Sequence, residues 1–289
     1  MTTAAVSQPV TVARSSSPSF GRRHFWLPTA AVLLAVAAPA VRAEAGNPLN
    51  DTFSVSLGGF LLDTKTKIRV DGTTEGSDVD ASRDLGLQDK NRFRLDAYWR
   101  MTPRQKIRAM YFSTDNVATK VLTRNIEVND QIYPVNLEVT AGMKTTVTAI
   151  SYEFDFLQSD KYELGVTGGI HNLKFNFHIE ATGGGQNVAA DTNAEANGPL
   201  PVVGLHGVWR LGPQWYFDAG AQFFKISFDP YDGRVTNYDV NFVWQASKHW
   251  GVGAGWNTFI TKLDVNGSRF DGSLRWSYGG SKLFVTASF

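Results

Sequence analysis

Histidine and acidic residues in two places could, by residue type, activate a water molecule for hydrolysis. His178 and Glu180 lie two residues apart, so their side chains would share one face of a β-strand. Asp229, Asp232 and Asp239 lie close to another expected loop. Hydrolysis also needs a nucleophile positioned by a base, which sequence alone does not show. We therefore interpret these residues as solvated loop groups or lumen partners, and we predict no enzyme activity.

Metal and cofactor sites are not indicated either. The chain has 0 Cys, so thiolate ligands and disulfides are excluded. The three glycines at 183–185 lie in a polar stretch without a following helix, unlike a phosphate-binding loop. The Asp-Gly pairs at 71–72 and 271–272 suit turn and strand positions better than a calcium loop. We predict no metal and no cofactor.

A larger set of charged residues alternates with apolar residues in segments typical of β-strands. At 92–101 five apolar residues alternate with four charges and one Tyr. If the apolar face contacts lipid, the charged face lines an interior in which charges of mixed sign would pair. The residues predicted to form this lumen network are Arg92, Arg94, Asp96, Arg100, Arg108, Glu153, Asp155, His206, Arg210, Asp218, Asp271 and Arg275.

The connections between the predicted strands differ in length by position. Tight turns at 102–105, 158–161, 211–214 and 246–249 alternate with other links, of which the longest cover about 63–91, 116–144 and 181–198. Barrels with short periplasmic turns and longer outer loops show this segregation, whereas a soluble meander has no reason for it. We predict an all-β, antiparallel, up-and-down transmembrane β-barrel of about ten strands, within a range of roughly eight to twelve.

Two strands contain a change in hydrophobic phase. Apolar residues at 162–170 lie in one phase and those at 173–179 in the other, with Gly168-Gly169 nearby. Trp276 and Tyr278 likewise differ in phase from the apolar residues at 283–289, across Gly279-Gly280. A β-bulge shifts the phase of a strand by one residue, so we predict a bulge at each site. A hairpin at Gly279-Gly280 is the alternative and would give eleven strands.

The C-terminal strand ends on an aromatic residue. Leu283, Val285, Ala287 and Phe289 share one face at period two. In this respect the chain resembles the outer-membrane β-barrel proteins of Gram-negative bacteria, of the small OmpA-like or OmpW-like type. The resemblance implies that these four residues are the signal read by the barrel-assembly machinery, and that the protein resides in the cell outer membrane. Aromatic residues near the short turns, including Trp215, would form a periplasmic girdle.

An export signal is predicted at residues 1–43. Arg22 and Arg23 precede an apolar segment at 27–38, which is too short to span a bilayer, and a small-x-small cleavage site follows at 41–43. Residues 44–289 are predicted to form the outer-membrane β-barrel as a single domain.

The charge balance limits the possible partners. The net charge is +1, from 28 basic and 27 acidic residues. The predicted leader holds four arginines and no acid, so the remainder has 28 − 4 = 24 basic residues and a net charge of −3. This balance argues against nucleic-acid binding. The predicted partners are outer-membrane lipid, lipopolysaccharide and the barrel-assembly machinery.

Three functions remain open at this point. The first is a structural or surface role, with a lumen largely plugged by paired charges and with surface-exposed loops. The second is a narrow passive channel for small solutes. The third is a hydrolase at the outer rim, as in the ten-stranded omptin proteases, but no omptin motif can be matched residue by residue. The His-x-Ser pattern of lipid A deacylases is also absent.

Overall fold

A computed structural model describes residues 46–71, 76–88, 92–128, 130–181, 191–228, 231–266 and 271–289. Its strands in chain order are β1 (Phe53–Asp71), β2 (Val79–Asp80), β3 (Arg92–Thr102), β4 (Gln105–Val121), β5 (Ile126–Val128), β6 (Gln131–Tyr133), β7 (Glu138–Gln158), β8 (Tyr162–Ala181), β9 (Asp191–Arg210), β10 (Trp215–Phe228), β11 (Tyr231–Gln245), β12 (Trp250–Asn266) and β13 (Asp271–Ser288). Within these residues, we find no helix with the length and hydropathy needed to cross a membrane.

Ten of these strands form one closed antiparallel barrel. Each pairs with its neighbour in the order β1, β3, β4, β7, β8, β9, β10, β11, β12 and β13. The sheet closes where β13 returns to β1, in register from Ser54 opposite Ser288 to Asp71 opposite Asp271. In the part of the barrel nearest the tight turns, closure pairs every strand on both sides, as a hydrocarbon environment requires. Toward the loop end, β1 pairs with β3 only as far as Phe60, and β9 pairs with β10 only from Val203 onward. The predicted fold class and the count of ten strands are confirmed.

The outer face of the barrel carries a band of large apolar side chains. Phe93 is 77% exposed, the largest fraction among them. Other exposed members, on strands around the circumference, are Leu57, Tyr111, Ile150, Val166, Leu205, Phe223, Phe242, Val252 and Leu283. Such a patch would be a liability in water but suits lipid, and bacterial barrels of this kind span the outer membrane. The fold therefore agrees with the predicted outer-membrane location.

The four tight turns lie at one end of the barrel. We call it the turn end; Phe289 lies there, and the opposite end is the loop end. The aromatic residues expected in a girdle lie at the turn end, and Trp215, Trp244, Trp250 and Tyr162 are exposed on the outer face. Amphipathic rings favour the level of the lipid headgroups, so this placement agrees with the predicted girdle.

The two predicted bulges are wrong. β8 pairs with β9 without a register shift, and so does β13 with both of its neighbours. The register shift near these strands lies instead in β7, between Asp155 and Leu157. The phase of hydrophobicity changes because the interior itself becomes apolar toward the loop end. Trp276 and Tyr278, both 1% exposed, therefore point inward on the same face of β13 as Lys282.

The strands also extend further than the sequence indicated. Much of the links expected at 63–91 and 116–144 is strand, because β1 continues to Asp71 and β4 continues to Val121. β7 begins at Glu138, and β9 begins at Asp191 within the link expected at 181–198. Outside the lipid band these strands are covered by water on one face and by an apolar core on the other. In that environment the apolar residues face inward and the polar residues face outward, which is the reverse of the pattern expected of a lipid-facing strand.

An aromatic cluster occupies the interior toward the loop end. Phe60 lies 5.8 Å from both Phe112 and Tyr278, ring centre to ring centre, in edge-to-face geometry. Phe259 stacks on Tyr278 at 5.3 Å and lies 5.6 Å from Trp276. Aliphatic side chains extend the same cluster, among them Ile68, Val139, Met143, Val147, Leu173 and Ile179. Burying a large apolar side chain contributes about 1.5–3 kcal/mol, so this apolar core holds the strands together beyond the lipid band.

Two ordered loop segments cover the loop end. One contains β2, which pairs with β1 through Val79 opposite Ile68, and the other contains the β5–β6 hairpin. Leu85 is fully buried, and the Tyr133 hydroxyl donates to the Ile179 carbonyl at 3.3 Å. Because their buried residues belong to the same cluster as the apolar core, these segments form a cap that is continuous with it. We use the word cap below for residues 76–88, 122–128 and 130–137.

An ion pair joins the two parts of the cap. Asp84 accepts hydrogen bonds from Arg124 Nη2 at 2.7 Å and from the Asp80 backbone N–H at 2.9 Å, and it pairs with Arg83 at 2.9 Å. Burial opposes ionisation of the Asp84 carboxyl, but the hydrogen bonds from Arg83, Arg124 and Asp80 outweigh it. They hold the pKa of Asp84 well below its ordinary value of 3.8.

Candidate functional site

A network of charged side chains lies in the interior between the apolar core and the turn end. Its members come from inward-facing positions of β3, β4, β7, β8, β9, β10, β11 and β13, so the closed sheet is what brings them together. Each strand contributes by simple alternation, because every second residue of a barrel strand faces inward. We call it the lumen network.

Lys106 lies at the centre of the part nearest the turn end. It is fully buried, and its Nζ lies 2.9 Å from Glu153 Oε1 and 3.0 Å from Asp155 Oδ2. It also pairs with Glu163, which binds Arg100 Nη1 at 3.0 Å. The three carboxylates lie within 4.8 Å of one another, a spacing that could hold a metal ion. Here the Lys106 ammonium occupies the position between them and supplies the compensating charge.

His206 connects two further carboxylates. Its Nε2 lies 2.9 Å from Asp218 Oδ2, and its Nδ1 lies 3.2 Å from Glu153 Oε2 and 3.1 Å from Arg108 Nη2. An ionised carboxylate only accepts, so Nε2 carries the proton of the bond to Asp218. Asn241 Nδ2 donates to the other Asp218 oxygen at 2.7 Å. The ring is thus held by charged groups, and among the described residues its hydrogen-bond partners include no hydroxyl or thiol that it could activate as a nucleophile.

Arg94 forms the third part, next to the apolar core. Its guanidinium pairs with Asp96 at 2.8 Å, lies 3.7 Å from Asp239 and donates to Asn257 Oδ1 at 2.8 Å. Lys282 Nζ reaches Asp239 at 2.6 Å from β13. Since Arg94 is only 6% exposed, its neutralisation depends on these partners.

The lumen network is close to electrically neutral. Its permanent cations are Arg94, Arg100, Lys106, Arg108 and Lys282, and its acids are Asp96, Glu153, Asp155, Glu163, Asp218 and Asp239. Five cations and six acids give 5 − 6 = −1, and a protonated His206 would bring the sum to zero. A selective pore is lined by charge of one sign, so this composition suits a filled interior instead.

The structure brings together eight of the twelve residues predicted for the lumen. These are Arg94, Asp96, Arg100, Arg108, Glu153, Asp155, His206 and Asp218. Arg92 also lies on the inward side of β3 but contacts the Asp115 carbonyl at 2.7 Å and Asn116 at 3.1 Å, nearer the loop end. Asp271 begins β13, but its side chain lies outside the described residues.

Two of the predicted positions are wrong. Arg275 is exposed on the outer face, because β13 has no bulge and its inward positions there are taken by Leu274 and Trp276. Arg210 is exposed at the turn end, where its Nε donates to the Gly212 carbonyl at 3.2 Å. The last residue of a strand reaches water rather than the lumen.

Four members of the network were missed from the sequence. Lys106 and Glu163 lie at the ends of β4 and β8 nearest the tight turns, where strand boundaries are hardest to place. Lys282 stands in the polar phase of the last strand, and Asp239 was considered for rim chemistry close to an outer loop. Extending the alternation by one more inward position on each strand would have found the first three.

The residues considered for rim chemistry do not converge on a site. His178 and Glu180 are exposed on the outer face of β8, and the His178 ring lies over Gly142, which leaves no room for a side chain there. Asp232 is exposed and accepts from Ser227 at 2.9 Å, whereas Asp239 belongs to the lumen network. Asp229 lies outside the described residues.

A chain segment closes the lumen at the turn end. Within residues 46–50, Leu49 is 2% exposed and packs in a small cluster with Val208 and Tyr216. The Gly46 carbonyl accepts from the Tyr216 hydroxyl at 3.1 Å, and the Pro48 carbonyl accepts from Arg100 Nη2 at 3.2 Å. We call residues 46–50 the plug segment.

A cavity of about 200 Å³ remains inside the barrel, next to the lumen network. Its lining includes Pro48 of the plug segment, Met110, Ala149, His206, Gln222 and Lys282. The cavity therefore begins at the plug segment and ends below the aromatic cluster.

The residues predicted as an assembly signal lie at the seam of the barrel. Leu283, Val285 and Phe289 are exposed on the outer face of β13. The Phe289 backbone N–H donates to the Phe53 carbonyl at 2.8 Å, and its carbonyl accepts from the Thr52 N–H at 2.6 Å. The role of these residues in assembly stays a prediction.

No protein-family model and no curated protein sequence matches this chain. Among solved structures, the outer-membrane protease OmpT of Escherichia coli is similar with a TM-score of 0.53 and 13% identity, over 84% of this chain and 98% of the protease. The NalP autotransporter translocator domain of Neisseria meningitidis (TM-score 0.42, 8% identity) covers 84% of this chain and 91% of its own length. The Yersinia pestis attachment protein Ail (0.31, 12%) covers 79% and 97%. The likeness to the protease shows the fold, a closed barrel of the outer-membrane type, and nothing of its activity.

Proposed function

We propose that this chain is an outer-membrane surface protein whose barrel is closed and whose cap is presented outside the cell. In this orientation the turn end faces the periplasm. The observation that carries the proposal is that side chains occupy the interior along its length, apart from the cavity of about 200 Å³ next to the lumen network. The plug segment, the lumen network, the apolar core and the cap follow one another from the turn end to the loop end.

The apolar core is the strongest barrier in this series. Water and ions need polar partners along a pore, and a hydrophobic constriction excludes them by dewetting. Phe60, Phe112 and Tyr278 are each at most 1% exposed, and their ring centres lie within 5.8 Å of one another. No ion could pass between these rings without displacing them. This supports the plugged barrel with a surface role over the narrow passive channel.

We do not extend the proposal to hydrolysis. The proposal of a non-enzymatic role is supported by the positions of the described histidine and acidic residues. His206 is held within the lumen network, and His178 lies on the outer face, where its cross-strand neighbours in the register are Gly142 and Asn193.

Conductance across planar bilayers tests the proposal. We expect the refolded full-length barrel to show no stable single-channel openings. A variant lacking residues 46–50 should also stay closed, because the apolar core remains. A triple variant with Phe60→Ala, Phe112→Ala and Tyr278→Ala in the plug-free background should conduct, which shows that openings are detectable. Stable openings of the unaltered protein would instead establish a narrow passive channel.

A further inference from the structure

Five cations stand side by side on the outer face of the barrel near the loop end. Lys225 of β10 is in register with Arg234 of β11, which is in register with Lys262 of β12. Lys262 is in register with Arg275 of β13, and Arg275 with Lys67 of β1. We call these five residues the cationic row.

This arrangement is unfavourable without counter-charge. Side chains directly opposite on neighbouring strands lie about 4.5–5.5 Å apart at Cβ, where like charges destabilise the pairing. Three acids lie in register with the row or at the next outward position of its strands: Asp264, which binds Lys262 at 2.6 Å, Asp232 of β11, and Asp80, which lies opposite Lys67. Five cations and three acids leave a net charge of 5 − 3 = +2 on this surface.

Four members of the row have no acidic partner of their own. Lys67, Arg234, Arg275 and Lys225 are exposed, and none of them forms an ion pair with another residue in the part of the chain that the structure describes. The opposite side of the barrel differs: there Asp115 of β4 is in register with Lys144 of β7, so opposite charges meet. At this position the opposite side therefore carries a compensated pair instead of adjacent like charges.

The position of the row relative to the lipid band is specific. One outward position nearer the turn end, Phe223 and Ile260 are exposed at 62% and 42%. Two residues of strand span roughly 7 Å, so on β10 and β12 the charges begin where the apolar side chains end. On β11, β13 and β1 the corresponding positions are Thr236, Ser277 and Lys65. Still nearer the turn end, Tyr238 and Trp256 continue the exposed apolar surface.

We propose that the cationic row binds a phosphorylated lipid of the outer leaflet. Lys and Arg donate charge-assisted hydrogen bonds to phosphate oxygens, and the apolar residues directly below would contact acyl chains. Four strand spacings give the row a length of about 19 Å, enough for a headgroup with more than one phosphate. Lipopolysaccharide has this chemistry. The proposal rests on the proposed orientation, which places the loop end at the outer leaflet.

The test compares lipid binding by two double variants with the unaltered, folded, full-length barrel in detergent micelles. Arg234→Gln with Arg275→Gln removes two charges from the row, on either side of Lys262. Lys144→Gln with Lys161→Gln removes the same charge from exposed positions outside it. Native mass spectrometry reports bound diphosphoryl lipid A, monophosphoryl lipid A, or neither. All these positions are exposed, so heat-modifiable migration on gels should confirm folding of every variant.

We expect the row variant to bind diphosphoryl lipid A at least about tenfold more weakly than the control variant. The unaltered barrel should prefer two phosphates to one. Equal affinities for the row and control variants, or equal binding of both lipids, would overturn the proposal. Complete competition by inorganic pyrophosphate would also overturn it, since the site would then recognise free phosphate. Conductance of the same preparations is measured separately. If lipid binding fails the test, the proposal of a closed lumen is therefore still judged by the conductance alone.

Discussion

The interior of the barrel is built differently in its two halves, although the same strands pass through both. On β13 the inward residues toward the turn end include Lys282 and Thr286 beside Phe284, whereas toward the loop end they are Trp276 and Tyr278. In the first half strands are joined by ion pairs of opposite charge, and in the second by ring packing. The comparison shows that the same paired strands can enclose either ion pairs or packed rings, provided that the charges in one half are paired and the rings in the other half are packed.

At the boundary between the two halves lie side chains that make a polar contact on one side and an aromatic contact on the other. The Arg94 guanidinium pairs with Asp96 on one side and lies 5.5 Å from the ring centre of Phe60 on the other. His171 Nε2 donates to Gln222 Oε1 at 2.9 Å, and the ring stacks on Phe259 at 5.5 Å. Such contacts let a charged network end against an apolar core without leaving a buried charge unpaired.

The two halves should respond differently to truncation, and the largest effect is expected in the ionic half. Lys106→Ala removes the cation shared by Glu153, Asp155 and Glu163. Breaking a buried pair costs about 3–5 kcal/mol, and three acids left close together place this variant at the upper end. Urea unfolding in detergent should show the loss, whereas Lys161→Ala, in an exposed turn, should be neutral. Equal midpoints would mean that water enters this half freely.

A smaller loss is expected from the apolar half. Phe112→Ala removes a fully buried ring, which typically costs about 3–5 kcal/mol. We expect about 3 kcal/mol, because Phe60 and Tyr278 can move into the space that the ring leaves. The matched control is Phe93→Ala on the outer face, which should cost less in the same unfolding assay. If the two substitutions cost the same, the core at the loop end is not close-packed.

The sequence predicted the barrel well because period-two alternation and the segregation of turn lengths are local signals. It shows that the two faces of a strand differ, but not which face is inside. Where the interior is ionic, apolar residues point to lipid and Glu153 and Asp218 were placed in the lumen correctly. Where the interior is apolar, Arg275 and Trp276 were assigned to the wrong faces, because tertiary packing decides the inside there.

The contacts themselves were beyond sequence reasoning for a related reason. Arg94 and Asn257 lie on strands far apart in the chain, and only closure of the sheet makes them neighbours. The plug segment and the cap were also not predicted, since Leu49 and Leu85 belong to short segments without periodicity. Their burial depends on cavities that exist only after the barrel has formed.

The smallest expected effect concerns the ion pair in the cap, which extends the comparison to a charged group packed above the apolar half. The pKa of Asp84 is lowered in the folded protein, so ionised Asp84 stabilises the folded cap above the ordinary value of 3.8. That stabilisation is lost as pH falls below 3.8 toward the lower folded value. Asp84→Asn should weaken the cap at neutral pH by about 1.5–3 kcal/mol, the range for a charge-assisted hydrogen bond.

Hydrogen exchange at residues 76–88 measures cap opening: it should rise below pH 4 in the unaltered protein and respond less to pH in the variant. The exchange of β7 amides beside the lumen network is the internal control, and it should change little in the variant. An identical pH response of the cap in both proteins would show that Asp84 does not hold it, and would leave the lumen as the part of this molecule where ion pairs contribute strongly.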